Sequence, residues 1–149
     1  ALTAGIGWLP DPGSGFDPGP GGGTGGTTVH DLSGSWTGAA TETRGGETVS
    51  GTICMALSQS GAALLGTYVT WSDQLSTGSA GTLVGALSGN GGTTTLVRAN
   101  LEETDACKRG SWSFTASDSL ITGTYTTQGD CFPPATGSIS MSRGACSLR

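Results

Sequence analysis

The chain has 149 residues, 28 of them glycine, and a net charge of −5 with only 11% charged residues. Its six basic residues are scattered, so no basic stripe can displace counterions from phosphate, and the composition excludes a nucleic-acid-binding protein. A run of about 18 apolar residues is absent from the sequence, which excludes a membrane-spanning helix.

The segment 1–30 is predicted to be an extended arm and linker, because it is dominated by the Gly/Pro-rich run "DPGSGFDPGPGGGTGG". Such a segment buries little surface, so we expect it to become ordered by packing on its own barrel or on a partner, and a partner better explains the flexible spacer. The start "ALTAGIGW" lacks the features of a signal peptide, so we expect Ala1 to be a mature terminus left by cleavage. The predicted partner contacts are the apolar side chains of the arm, Leu2, Ile6, Trp8, Leu9 and Phe16.

Residues 31–149 form the second predicted unit, a β-barrel domain. Apolar and β-branched residues alternate there with Ser and Thr, and turn sequences such as "RGGE" and "SGNGG" interrupt the alternation. An antiparallel meander must protect its two edges, and closure into a small barrel does so, with a two-layer sandwich as the second possibility. The predicted strands are 32–43, 48–58, 63–71, 81–87, 93–101, 108–116, 120–127 and 137–143.

Four cysteines, Cys54, Cys107, Cys131 and Cys146, lack the close spacing of zinc or redox motifs and are interpreted as disulfide-bonded. Disulfides indicate an exported protein, periplasmic or extracellular. Four cysteines allow three pairings. We favour Cys107 with Cys131, which lie at the same end of the predicted meander, and this leaves mid-strand Cys54 to hold the C-terminal tail through Cys146.

Two short sequences recur in the domain: "GSWTG" at residues 34–38 returns as "GSWSF", and "LGTYVT" at residues 65–70 returns as "TGTYTT". Glycine inside these strands is expected to let a Trp or Tyr of the neighbouring strand lie over bare backbone. The GxW of the first strand and the GTY of the third resemble avidin-like and lipocalin-like proteins, and also small bacterial exported domains. The resemblance covers residues 32–71 and implies a secreted up-and-down barrel. It does not carry the biotin-binding residues of avidin-like proteins to this chain.

The sequence presents no catalytic, metal-binding or cofactor-binding constellation. His30 is the only histidine and neighbours Asp31, but adjacent strand residues point to opposite faces, so we expect a solvated residue at the start of the first strand. Glu42 and Glu47 flank a hairpin turn and are expected to face solvent rather than to form a glycosidase pair.

The acidic stretch "LEETDAC", with Glu102, Glu103 and Asp105, lacks the spacing of a calcium loop and is interpreted as a solvated connection between strands. The large aromatic side chains of the domain are interpreted as core, although they would line a ligand pocket if the barrel had one. These aromatic residues are Trp36, Tyr68, Trp71, Trp112, Phe114 and Tyr125.

We therefore expect a non-enzymatic extracytoplasmic structural subunit, a rigid barrel that docks through its arm onto other protein subunits. The assembly would be an envelope or membrane complex, such as a respiratory or photosynthetic complex, a filament or a surface layer, with this chain peripheral to any membrane. The alternative is a barrel that binds a small hydrophobic ligand, as lipocalin-like and avidin-like proteins do. Its ligand would contact Trp36, Tyr68, Trp71, Trp112 and Tyr125.

Overall fold

The structure is a computed structural model that describes residues 30–99 and 101–146. The predicted arm contacts Leu2, Ile6, Trp8, Leu9 and Phe16 therefore lie outside the described residues. The described chain contains eight antiparallel strands and no helix. Their bounds are β1 Gly34–Arg44, β2 Glu47–Ser60, β3 Ala63–Ser72, β4 Thr77–Ser88, β5 Gly91–Arg98, β6 Arg109–Ala116, β7 Leu120–Thr127 and β8 Ala135–Arg143.

Each strand pairs with the next, and β8 pairs back onto β1 through the register Trp36 with Arg143 to Arg44 with Ala135. This closed eight-strand barrel confirms the predicted all-β meander and leaves no free sheet edge among the described strands. Tight turns join several pairs. At the β1–β2 turn Gly45 and Gly46 have φ of +60° and +87°, as the two central residues of a type I′ turn require.

The largest differences from the predicted bounds are at the start of β4 and at the end of β5, which stops at Arg98 rather than at residue 101. The sequence analysis began β4 at Gly81, but residues 77–80 already pair with β3, because the neighbouring strand imposes extended structure on residues of weak β preference. β1 begins at Gly34 rather than at residue 32. The backbone of Leu32 instead caps one end of the barrel.

That capped end, here called the closed end, is filled by Leu32 and Trp36, both buried. The indole Nε1 of Trp36 donates to the Leu32 carbonyl at 2.9 Å, and the Leu32 N–H donates to Gln59 Oε1 at 2.7 Å. The Arg143 guanidinium lies 4.5 Å from the Trp36 ring centroid and donates through Nε to the Asp118 carbonyl at 2.7 Å. These contacts stabilise the closed end because they satisfy buried polar groups while the indole fills the interior.

Alternation along each strand sends one set of side chains into the barrel and the other outward. The inward set forms the main core, in which the rings of Trp112 and Phe114 stack with centroids 4.5 Å apart. The core consists of Leu32, Trp36, Ile53, Met55, Leu57, Leu64, Tyr68, Leu83, Leu87, Leu96, Trp112, Phe114, Ile121, Ile139 and Met141.

Two disulfides link Cys107 to Cys131 and Cys54 to Cys146, which is the pairing favoured from the sequence. Cys54 faces outward, where it packs with Val69 and Ala80 in a small second cluster. The C-terminal tail after β8 therefore crosses the outer wall and is fixed to the middle of β2. The other disulfide ties the β5–β6 connection to the β7–β8 connection.

Candidate functional site

A cavity of about 430 Å³ lies inside the barrel at the end opposite Leu32. It opens between the connections that follow β1, β3, β5 and β7, and its rim includes Arg44, Leu75 and Thr77. Part of its wall is apolar and is formed by Ala40, Ile53, Leu96 and Ile139. Cavities of this size and lining are typical of sites for small organic ligands.

Four of the polar side chains that border the cavity are here called the polar layer: Glu42, Tyr68, Arg98 and Tyr125. They project from β1, β3, β5 and β7, so alternate strands supply one member each. In the closed strand order β1 and β5 lie on opposite walls. The contact between Glu42 Oε1 and Arg98 Nη2, at 3.7 Å, therefore spans the inside of the barrel.

Glycines on the intervening strands make room for the polar layer. Gly81 of β4 is the register partner of both Tyr68 and Arg98, and Gly137 of β8 is the partner of both Tyr125 and Glu42. A Cβ atom at Gly81 would lie 2.7 Å from the Tyr68 hydroxyl oxygen, and one at Gly137 would lie 2.5 Å from Tyr125 Cε1. The two tyrosine rings thus lie over bare backbone, as the Gly-Tyr pattern of the sequence predicts.

The electrostatics of the polar layer keep both tyrosines protonated. Burial raises the pKa of Tyr68 to about 12, opposed by the charge of Arg98 and assisted by that of Glu42. Burial also raises the pKa of Tyr125, and the Glu42 carboxylate raises it further through its charge and through hydrogen bonding. At neutral pH the layer therefore offers two neutral hydroxyls beside one anion and one cation.

Arg98 keeps hydrogen-bonding capacity toward the cavity. A guanidinium has five N–H donors, and the contact with Glu42 is longer than a charge-assisted hydrogen bond. Within residues 30–99 and 101–146 the Arg98 side chain makes no hydrogen bond. Its side chain is 25% exposed and that of Glu42 is 35% exposed, so both reach the cavity while remaining largely out of bulk water.

The cavity rim is braced by a disulfide. Arg44 Nη2 lies 3.3 Å from Cys107 Sγ, and Arg44 Nε donates to the Pro133 carbonyl at 3.0 Å. Since Cys107 also borders the cavity, these contacts fix the β5–β6 and β7–β8 connections at its mouth.

The structure separates the aromatic residues that the sequence analysis grouped together. Tyr68 and Tyr125 border the cavity, whereas Trp36 and Trp112 are fully buried in the core and do not reach it. Trp71 belongs to the outer cluster around Cys54, borders the mouth, and donates through Nε1 to Asp73 Oδ1 at 2.8 Å. Trp112 Nε1 and Thr94 Oγ1, register partners on β6 and β5, are buried without a hydrogen-bond partner among the described residues.

Glu42 corrects an expectation from the sequence, which placed it in solvent beside the hairpin turn. It has the same inward parity as Trp36 and Ala40, and the barrel continues past it to Arg44, so its carboxylate points into the cavity. Every second residue of a strand points to the same face, so Glu42 points inward like Trp36, and Arg98 points inward like Leu96. Glu47 is exposed at the mouth.

His30 precedes β1 rather than starting it. Its Nδ1 lies 2.8 Å from Asp118 Oδ1, while Asp31 accepts a hydrogen bond from the Ser33 N–H at 3.0 Å. The acidic stretch does lie in the β5–β6 connection, where Glu103 accepts a hydrogen bond from Arg109 at 2.7 Å. The hydrogen bond to Arg109, followed by the Arg109 charge, lowers the pKa of Glu103.

A second depression, of about 470 Å³, lies on the outer wall. Its lining is almost entirely hydroxylated and carries no charged side chain, so it offers little to fix the orientation of a ligand. The Ser and Thr side chains of this lining are Thr41, Thr43, Ser111, Ser113, Thr124, Thr126, Thr136 and Ser138.

The described residues include no group of three or more His, Cys, Asp or Glu side chains that could hold a metal ion. Residues 30–99 and 101–146 also contain no helical segment with the length and apolarity needed to cross a bilayer. Neither a protein-family profile nor a curated protein sequence matches the chain significantly.

Proposed function

We propose that the protein binds a small, largely apolar organic molecule inside the open end of its barrel. The observation that carries this proposal is the cavity of about 430 Å³, whose apolar wall is combined with a few convergent polar groups. The closed end is packed with Leu32 and Trp36, so in the described part of the chain a ligand would enter through the open end. Among the functions expected from the sequence, the geometry favours the small ligand-binding barrel.

Binding is tested with N-phenyl-1-naphthylamine, an uncharged probe that fluoresces in apolar surroundings. We expect saturable binding to the wild-type protein with one probe per barrel. Val49 borders the cavity on β2, and Val49→Trp should weaken binding at least about 10-fold because the indole occupies probe volume.

The matched control is Val84→Trp. Val84 is 51% exposed on the outer wall of β4, so the same change in size leaves the cavity untouched and probe binding should equal that of wild type. Absence of saturable binding to the wild-type protein, or equal binding by the two variants, would contradict the proposed function.

We further propose that the protein acts in an oxidising compartment outside the cytoplasm, either the periplasm or the extracellular space. Two disulfides with no free cysteine among the described residues support this location. The docking role expected from the sequence concerns arm residues outside the described part of the chain, and it stays a prediction. A pull-down from native membranes with and without residues 1–29 tests that role.

A further inference from the structure

The polar layer has the composition of a selective binding site. It contains one acceptor that carries negative charge, one donor that carries positive charge and two neutral hydroxyls, all reaching the same cavity. Its formal charges cancel, because Glu42 and Arg98 face each other at 3.7 Å. A ligand group placed there must satisfy both ends of this pair or leave one of them unpaired in a cavity of low polarity.

We propose that the polar layer selects ligands whose head group is uncharged and both donates and accepts hydrogen bonds, with a primary carboxamide as the simplest case. The amide N–H₂ would donate to the Glu42 carboxylate and the amide oxygen would accept from the Arg98 guanidinium. The two tyrosine hydroxyls, which can donate and accept, complete the set. This inference rests on the proposed function and specifies the chemistry of its ligand.

The wall beneath the polar layer gives the orientation of the ligand. Along β1 the inward order from the mouth is Arg44, Glu42, Ala40, and along β5 it is Arg98, Leu96. The side chains one step deeper than Glu42 and Arg98, those of Ala40 and Leu96, are therefore apolar. The ligand would enter with its apolar body first and leave its amide at the level of Glu42 and Arg98.

Charged head groups are disfavoured for a simple electrostatic reason. A carboxylate that approaches Arg98 also meets Glu42, and an ammonium that approaches Glu42 also meets Arg98, so either ion gains one attraction and one repulsion. Each ion also loses its hydration on entering the cavity. A zwitterion would satisfy both partners but would pay the hydration cost twice.

The inference is tested by displacement of N-phenyl-1-naphthylamine with four compounds that share one ring: cyclohexanecarboxamide, cyclohexanecarboxylate, cyclohexylmethylammonium and methyl cyclohexanecarboxylate. At pH 7 the carboxamide should bind at least about 10-fold more tightly than the carboxylate or the ammonium, and more tightly than the ester, which has no donor. Equal affinities, or a preference for either ion, would overturn the inference.

Charge-removing variants give a readout that a merely structural role would not produce. Glu42→Gln leaves Arg98 as the only charge of the polar layer, so the carboxylate should become the best ligand. Arg98→Gln should make the ammonium the best ligand. Glu102→Gln, an equal change on an exposed carboxylate of the β5–β6 connection, should preserve the wild-type order. An unchanged order of ligands in Glu42→Gln, whose side chain has nearly the size of the original, would overturn the inference even if Arg98→Gln does not fold.

These outcomes separate the two proposals. If the fluorescent probe does not bind the wild-type protein, the proposed function fails. If the probe binds but the four compounds compete equally, the cavity binds ligands and only the assignment of the head group fails.

Discussion

Both tyrosines of the chain belong to the polar layer, so any tyrosine titration reports on this one site. The Tyr68 side chain is held protonated chiefly by burial, which raises its pKa to about 12. Tyr125 is affected in the same direction, with a stronger contribution from the Glu42 carboxylate. The layer is thus a site in which charge is restricted to one carboxylate and one guanidinium.

An alkaline titration followed by absorbance at 295 nm tests this assignment. In the folded protein we expect neither tyrosine to ionise at the ordinary value of about 10, and Tyr68 to ionise near pH 12. Because the folded pKa exceeds the unfolded one, the stabilisation is fully present below pH 10 and is lost as pH rises from 10 to 12. Tyr68 alone should lower the free energy of unfolding by up to about 3 kcal/mol over that range.

Tyr68→Phe supplies the control for the titration. The variant should lose the part of the absorbance change that belongs to Tyr68, and its free energy of unfolding should depend less steeply on pH above 10. A native titration centred near 10 with both tyrosines contributing would show that the hydroxyls are solvated and that the polar layer is open to water.

At the scale of the strands, odd- and even-numbered strands contribute differently to the site. The odd-numbered strands supply the polar layer, and β4 and β8 supply the glycines over which its rings lie. Larger side chains at both sets of positions would overfill the barrel at this level. The recurring GTY sequences in β3 and β7 thus reflect a requirement of the site as well as of strand curvature.

Gly81→Ala tests the role of these glycines. The new methyl group would collide with the Val97 carbonyl and lie 2.7 Å from the Tyr68 hydroxyl oxygen, so we expect a loss of about 3 kcal/mol in unfolding free energy. Gly129→Ala is the matched control, because a Cβ there meets no atom within 4 Å. Equal urea midpoints for the two variants would mean that β4 shifts freely and that Gly81 does not determine where Tyr68 lies.

At the scale of the whole molecule, the two disulfides differ in the length of chain that they close. Cys54 and Cys146 are 92 residues apart, and Cys107 and Cys131 are 24 apart. In the chain-entropy description, cross-linking residues that are farther apart removes more freedom from the unfolded state. The first disulfide also fixes residues 144–146 to the outer wall, and these residues belong to no strand.

Urea unfolding of two paired variants checks this ranking. Replacing Cys54 and Cys146 by Ala should cost about 5 kcal/mol, and replacing Cys107 and Cys131 by Ala about 3 kcal/mol. The second pair should in addition weaken binding of the fluorescent probe, because its connections form the cavity mouth. A larger loss from the Cys107 and Cys131 pair would mean that packing at the mouth, rather than unfolded-chain entropy, dominates.

The sequence predicted the strands and the closed barrel, because alternation and turn residues are local signals. The favoured disulfide pairing followed from the positions of the cysteines on the predicted meander. It did not predict the polar layer. Glu42 and Arg98 are 56 positions apart, and only closure of the sheet brings them face to face. Both residues lie an even number of positions from a core residue of the same strand, Trp36 or Leu96, so the sequence indicated that they point inward. Charged residues near strand ends usually face solvent, however, and this tendency led to the wrong expectation for Glu42.

The chain enters the barrel at His30 and leaves β8 at Arg143, both at the closed end. The mouth of the cavity therefore faces away from the point where the preceding segment joins. A bulky group fused directly before His30 should therefore leave ligand access unhindered, whereas the same group at the β3–β4 or β7–β8 connection would block the mouth of the cavity.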